Sequence, residues 1–140
     1  MFARENYAVS STLLYFGVLL LCCIQCQCKV CLTMDVRNVP RSMEKLRNCT
    51  EIQGNLMIVL METVVDESAF DPYTFPELKK ISGYLLFFRI RKLTSVAKLF
   101  PNLRVIGGSD TILDYSLIIY DMPDIKEVSL FILYNSIVAW

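Results

Sequence analysis

The chain has 140 residues, 14 basic against 14 acidic side chains, and no histidine. That length holds one domain at most, and the zero formal charge leaves no basic footprint for nucleic acid or for an acidic surface. Without histidine there is no Ser-His-Asp triad, no Cys-His pair, no His-ligated metal and no kinase loop of the His-Arg-Asp kind. The carboxylates are scattered and no glycine-rich phosphate loop is present, so the chain reads as non-enzymatic, with no cofactor and no metal.

Leu13 to Ile24 is a run of 12 residues without a charge, following a short polar segment that carries Arg4 and Glu5. A spanning helix needs about 20 apolar residues, so the run reads as the core of a secretory signal peptide over residues 1–28. Cleavage is expected between Ile24 and Lys29; a signal anchor is the alternative. Later apolar runs are broken by Arg89, Asp114 or Asp121, so the mature chain, 29–140, has no candidate span.

Of six cysteines, Cys22, Cys23 and Cys26 leave with the signal, and Cys28 does so if cleavage follows it. Cys28-Lys29-Val30-Cys31 has the spacing of a redox or zinc pair, but no strand–helix context surrounds it and no second pair completes a metal site. In a secreted chain Cys31 and Cys49 form the natural disulfide, worth roughly 3 kcal/mol in chain entropy. Between them, Asn38 can cap a helix, Pro40 suits its first turn, and Met43 with Leu46 forms a short apolar face. Asn48-Cys49-Thr50 is a glycosylation sequon. Asp66 to Tyr73 reads as a polar loop with a turn at Asp71-Pro72. Leu93 to Leu99 reads as a helix-like connector with Leu93, Val96 and Leu99 or Phe100 on one side.

One phrase occurs twice. Phe75-Pro76-Glu77-Leu78-Lys79-Lys80-Ile81-Ser82-Gly83 precedes the apolar run Tyr84 to Phe88. Phe100-Pro101-Asn102-Leu103-Arg104-Val105-Ile106-Gly107-Gly108 precedes the run Tyr115 to Tyr120, at an offset of 25 residues from Phe to Phe. Weaker echoes begin at Thr50 and at Met122. Repeats of this length point to a solenoid in which Leu78, Leu103 and Ile125, and then Ile81, Ile106 and Val128, stack on their equivalents. Pro76, Pro101 and Pro123 suit corners that need no backbone donor. Gly54, Gly83 and Gly108 suit turns that need a positive φ. The strands Tyr84 to Ile90 and Leu117 to Tyr120 are apolar at nearly every position instead of alternating. Either a second layer covers their outer face, or that face is an apolar patch where something binds.

Four segments together resemble the first receptor L domain of the insulin receptor family. They are Cys31-Leu32-Thr33-Met34-Asp35-Val36-Arg37-Asn38, Asn48 to Leu56, Tyr84 to Arg89, and Leu99 to Gly108. The likeness runs from residue 31 to about 135, and the Met-Asp-Val-Arg-Asn phrase is similar to the insulin receptor branch in particular. The resemblance implies a mainly β fold: a right-handed β-helix, leucine-rich-repeat-like, with a short N-terminal helix. It also implies an extracellular, glycosylated receptor L domain that binds an insulin-like peptide on its sheet face, in a family whose full-length members are disulfide-linked dimers with a tyrosine kinase. Carried over by position, the ligand face takes Arg37 and Asn38 at its edge, Leu60 on the first full strand, Phe88 and Arg89 on the second and Tyr115 on the third.

Three positions depart from the family pattern. Glu62 stands where vertebrate members carry an aromatic contact, and Ile112 and Leu113 replace an aromatic pair, which shrinks the rigid anchor area. The pattern also stops before the last turn of an L domain is complete, so the expected product is the front of a receptor. A short secreted decoy, or a repeat-type module for another protein partner, is the alternative.

Overall fold

The computed structural model describes residues 29–128 and 138–139. The expected signal peptide lies outside the described residues. So does most of the chain beyond Val128.

The structure is mainly β, and among the described residues the pairings between strands are parallel. Strand β1 (Lys29–Arg37) pairs with β2 (Cys49–Met61). β2 spans two rungs: its first half pairs with β3 (Lys80–Ile81) and its second half with β4 (Leu85–Ile90). β3 continues to β5 (Val105–Ile106), and β4 continues to β6 (Leu117–Tyr120) and then β7 (Val138–Ala139). Each coil therefore contributes a short strand, a corner and a longer strand, and the coils lie one upon another.

The repeated phrase makes the same turn three times. The amide of Leu78 donates to Phe75 O (3.3 Å), that of Leu103 to Phe100 O (3.3 Å) and that of Ile125 to Met122 O (3.4 Å), with Pro76, Pro101 and Pro123 next to the first residue of each turn. Proline presets the φ such a turn needs at that place. The turn drops the anchor leucine inward, and Leu78 and Leu103 are fully buried. Three residues on, Ile52, Ile81 and Ile106 stack in register through the core. Lys80 and Glu51 form an ion pair at 2.9 Å on the outside of that rung. Phe75, Phe87 and Phe100 fill the centre, with ring centroids 5.8 Å apart for Phe75–Phe100 and 6.3 Å for Phe87–Phe100.

The corners use glycine for two different reasons. Gly54 has φ +116°, as expected of a residue that turns the chain. Gly83 does not: its φ is not positive, and what it needs is room. A Cβ there would meet Asn55 Oδ1 and the carbonyl of Gly54, whose oxygen accepts the Gly83 amide at 2.9 Å. The glycine lets one coil sit directly on the one below.

The Cys31–Cys49 disulfide is present, with Cα atoms 5.8 Å apart, and ties β1 to the start of β2. Between the two, Pro40–Leu46 forms a 3-10 helix with proline in its first turn and Met43 and Leu46 buried. Asn38 does not cap it. The residue before the helix is Val39, no side chain caps the end, and Asn38 instead has φ 73°. The polar loop after β2 also contains a 3-10 turn, Glu67–Phe70. Asp66 accepts the Ser68 amide at 2.8 Å, which holds its carboxyl below the usual aspartate range. The connector 93–99 narrows to one turn, α1 (Val96–Leu99), with Leu93, Val96, Leu99 and Phe100 buried as expected. Among the described residues, no helix is long and apolar enough to cross a membrane.

Candidate functional site

The outer face of the long strands follows from their register. Leu56, Leu85 and Leu117 pair and point inward; so do Ile58, Phe87 and Ile119. The intervening positions face out and align in rows. One row is Asp35, Met57, Leu86 and Ile118; the next is Arg37, Val59, Phe88 and Tyr120. Val59 in the second row is buried, at 8% exposure, while its apolar neighbours keep access to solvent. Leu86, Phe88 and Ile118 are half-buried, and Tyr120 is 62% exposed. The continuous apolar strands thus form an open apolar face.

The third row is the corner itself. Asn38 (φ 73°), Leu60 (φ 58°), Arg89 (φ 51°) and Asp121 (φ 55°) each follow a member of the second row, and each lies in the left-handed region. At that backbone conformation a side chain other than glycine or asparagine is costly, about 1–2 kcal/mol for an ordinary L-residue. The chain nevertheless places a leucine and an arginine there. Leu60 and Phe88 are half-buried, so neither belongs to the closed core.

Arg89 holds this edge together. Its guanidinium lies 5.2 Å from the centre of the Phe88 ring. Its Nε donates to Asp121 Oδ2 at 3.2 Å, and its Nη1 is 3.9 Å from Glu62 Oε1. Phe88 stacks on Tyr120, with centroids 5.8 Å apart and planes 14° from parallel. Arg37 pairs with Asp35, two residues before it on β1.

Tyr115 is not on the third strand. β6 begins at Leu117, and Tyr115 closes a tight hairpin with Ile112, each amide donating to the other's carbonyl (3.0 and 2.9 Å). Leu113 (φ 51°) and Asp114 (φ 69°) form its tip. The hairpin and the face together line an open hollow of about 420 Å³, bordered by Leu86, Phe88, Ile112, Leu113, Tyr115, Ile118, Ile119 and Tyr120. Arg37, Asn38, Leu60, Phe88, Arg89 and Tyr115 therefore all lie on or around one face. Asn48 lies apart, exposed with φ 64° at the end of the 3-10 helix segment.

Met57, Val59, Leu86, Ile118, Tyr120 and Asp121 join the face without having been singled out from the sequence. The strand register is the signal that identifies them: Tyr120 stands to Phe88 as Phe88 stands to Val59.

The hairpin tip carries its own test. A two-residue tip with both φ positive favours asparagine or glycine, yet Leu113 occupies it while 84% exposed. Leu113→Asn is expected to stabilise the chain by about 1 kcal/mol, read as a rise of several degrees in a thermal melt. An unchanged or lower melting temperature would show that the leucine is not held in that conformation.

The profile of the receptor L domain family matches residues 48–135. The insulin-like peptide receptor of Branchiostoma lanceolatum is 38% identical over 106 residues, which cover 76% of this chain and 8% of that protein. The insulin receptor of Xenopus laevis is 42% identical over 117 residues, covering 84% of this chain and 8% of that protein. The insulin-like growth factor 1 receptor of Xenopus laevis is 42% identical over 118 residues, covering 84% and 9%. The chain thus spans less than a tenth of the length of these relatives, within the part that is a binding module and not a catalytic one. With its stacked parallel coils and this match over most of its length, the chain belongs to the receptor L domain family, as an L domain of the insulin receptor family.

Proposed function

We propose that this chain is the extracellular, hormone-capturing L domain of an insulin-like receptor, and that it binds an insulin-like peptide on the outer face of β2, β4 and β6. The observation that carries this reading is the open apolar face itself, with its hollow of about 420 Å³ beside the Ile112–Tyr115 hairpin. Exposed apolar patches of this kind mark binding surfaces. Here the rim is polar and charged, as interfaces require. The names of the relatives, receptors for insulin, insulin-like growth factor 1 and an insulin-like peptide, supply the class of ligand.

In this reading Leu60, Phe88 and Tyr115 supply apolar contact, while Arg37, Asn38 and Arg89 line the polar edge. The coil is the right-handed β-helix of the family, in keeping with the hand that parallel crossover connections nearly always take. Residues 1–28 direct the chain to the secretory route, where the Cys31–Cys49 bond is stable. Asn48, exposed beside that bond, carries a sugar away from the ligand face. In a full-length receptor the domain works within a disulfide-linked dimer.

The test is site-directed photo-crosslinking with labelled human insulin as the probe. A photoreactive residue at Tyr115, beside the apolar hollow, is expected to capture the probe, and excess unlabelled insulin should compete. The same residue at Lys126, in the loop-side hollow, is expected to capture none. Equal capture at both positions, or none at Tyr115, would remove the sheet face as the hormone site.

A further inference from the structure

The chain is neutral as a whole, but its fold sorts the charges. Lys79 and Arg104 hold the same place in the repeated phrase, directly after the anchor leucines. The coil sets them side by side: the Lys79 amide donates to Thr50 O and the Arg104 amide to Lys79 O, each at 2.9 Å. Thr50 Oγ1 donates in turn to Lys29 O at 3.3 Å. Lys45 O lies 3.8 Å from Cys49 Sγ, and Cys49 is the strand partner of Lys29. Lys45, Lys29, Lys79 and Arg104 therefore follow one corner along the axis of the coil. Adjacent strands are about 4.8 Å apart, so Lys29 to Arg104 spans about 14 Å.

All four side chains are exposed. Among the described residues no carboxylate pairs with Lys29, Lys45 or Lys79, whereas Arg37, Arg47, Lys80, Arg89, Lys92 and Lys98 are each in an ion pair. Arg104 Nη1 donates to Pro101 O at 3.3 Å, a neutral acceptor that leaves its charge in place. Glu51, on the neighbouring rung, is taken by Lys80. Glu77, two residues before Lys79, offsets one of the four cations, and the corner keeps a clear positive excess. The column belongs to the side of β3 and β5, apart from the outward rows of β4 and β6.

We propose that this corner binds a sulfated polysaccharide of the extracellular space, with its sulfates paired to Lys29, Lys79 and Arg104 and, at one end, to Lys45. Cations held in a line without counter-charges concentrate mobile anions around them. A polymer that neutralises several of them at once releases those ions together, and the gain grows with the number neutralised. A compact anion reaches only one or two members of a column this long, so the arrangement fits an extended chain of anionic groups. The choice of a polysaccharide among such polyanions rests on the secretory route proposed above. The peptide-binding role of the sheet face is independent of it.

The experiment titrates the purified chain with heparin at several salt concentrations. The unchanged chain is expected to bind, with a salt dependence that corresponds to about three released counterions. Lys79→Ser combined with Arg104→Ser is expected to weaken binding about tenfold and to lower that dependence by about one to two counterions. The matched control, Arg91→Ser combined with Lys126→Ser, removes two exposed cations outside the column and should leave both readings nearly unchanged. Lys79→Arg combined with Arg104→Lys should retain binding, and a thermal melt of each form checks that the fold is kept. Equal losses in the two serine pairs would show that overall charge and not the column attracts heparin, and would overturn the proposal. So would no binding by the unchanged chain, or equal binding of the unsulfated polysaccharide of the same backbone. Vesicles rich in phosphatidylserine that bind as tightly as heparin would replace the polysaccharide by a membrane surface. Recovery of the chain from the culture medium is scored separately: heparin binding by a chain kept inside the cells would overturn the secretory route and, with it, the polysaccharide as the natural ligand.

Discussion

Phe100→Ala is expected to cost about 3–5 kcal/mol of folding stability, the range for truncating a buried aromatic side chain. Phe100 is almost fully buried, and its ring lies between Phe75, one turn of the repeated phrase below, and Phe87 on the neighbouring long strand. Alanine would leave a hole bounded by two coils, and the coils cannot close it. Their separation is set by backbone hydrogen bonds such as Phe75 N–H to Leu99 O (2.8 Å) and Arg104 N–H to Lys79 O (2.9 Å). For a chain of this size each kcal/mol moves the melting temperature by roughly 4 °C or more, so a drop of more than about 10 °C is expected. Circular dichroism of the strand signal during a thermal melt reads it. A drop of only a degree or two would mean that the aromatic centre is not what joins the turns of the coil.

The repeated phrase made the turns legible because its residues carry their own backbone preference. A proline after phenylalanine, a leucine two further on and an isoleucine three beyond that specify a turn, an anchor and a rung. All three appear where Phe75, Leu78 and Ile81 predict them, and again at Phe100, Leu103 and Ile106. The long strands were legible as apolar but not in register. Ile81 pairs with Ile106 at the offset of 25 residues seen in the phrase, whereas Leu85 pairs with Leu117 at an offset of 32. The difference is taken up by the segment that forms the Ile112–Tyr115 hairpin. The offset of the phrase therefore does not give the register of the long strands, and in a strand a slip of one residue reverses every side chain. Tyr115, carried over onto the third strand by the family resemblance, therefore lies in the hairpin before it, and the strand residue that aligns with Phe88 is Tyr120.

The corner row was illegible for a different reason. Left-handed backbone is signalled by glycine or asparagine, and Asn38 alone among Asn38, Leu60, Arg89 and Asp121 gives that signal strongly. Leucine and arginine are among the last residues expected there. The coil imposes the conformation through the register of its neighbours, so the information lies in the stacking of four turns and not in any one of them. Gly83 shows the converse. Its glycine is easily read as a turn residue, but it is needed for space.

Phe88→Ala is the change expected to separate binding from folding most clearly. The side chain is half-buried and faces outward, with Tyr120 stacked on one side and the Arg89 guanidinium over its ring. Truncation leaves no closed cavity, because the face is already open. The fold is expected to lose only the stacking with Tyr120 and a partial burial, about 1 kcal/mol in all. A bound peptide would lose much more. Phe88 lies at the middle of the row from Arg37 to Tyr120 and also lines the hollow beside the hairpin. A central aromatic that becomes fully covered is where interface energy concentrates, at 2 kcal/mol or more, so affinity should fall by about thirtyfold or more. Phe88→Leu keeps apolar area but gives up the stacked ring, and is expected to fall between the two. Titration of labelled human insulin against the three proteins, with a thermal melt of each, provides both readings. Equal affinity for Phe88 and alanine at matched stability would move the ligand off this face. A large loss of stability in Phe88→Ala would instead show that Phe88 serves the core, and the outward row would then be packing and not a binding surface.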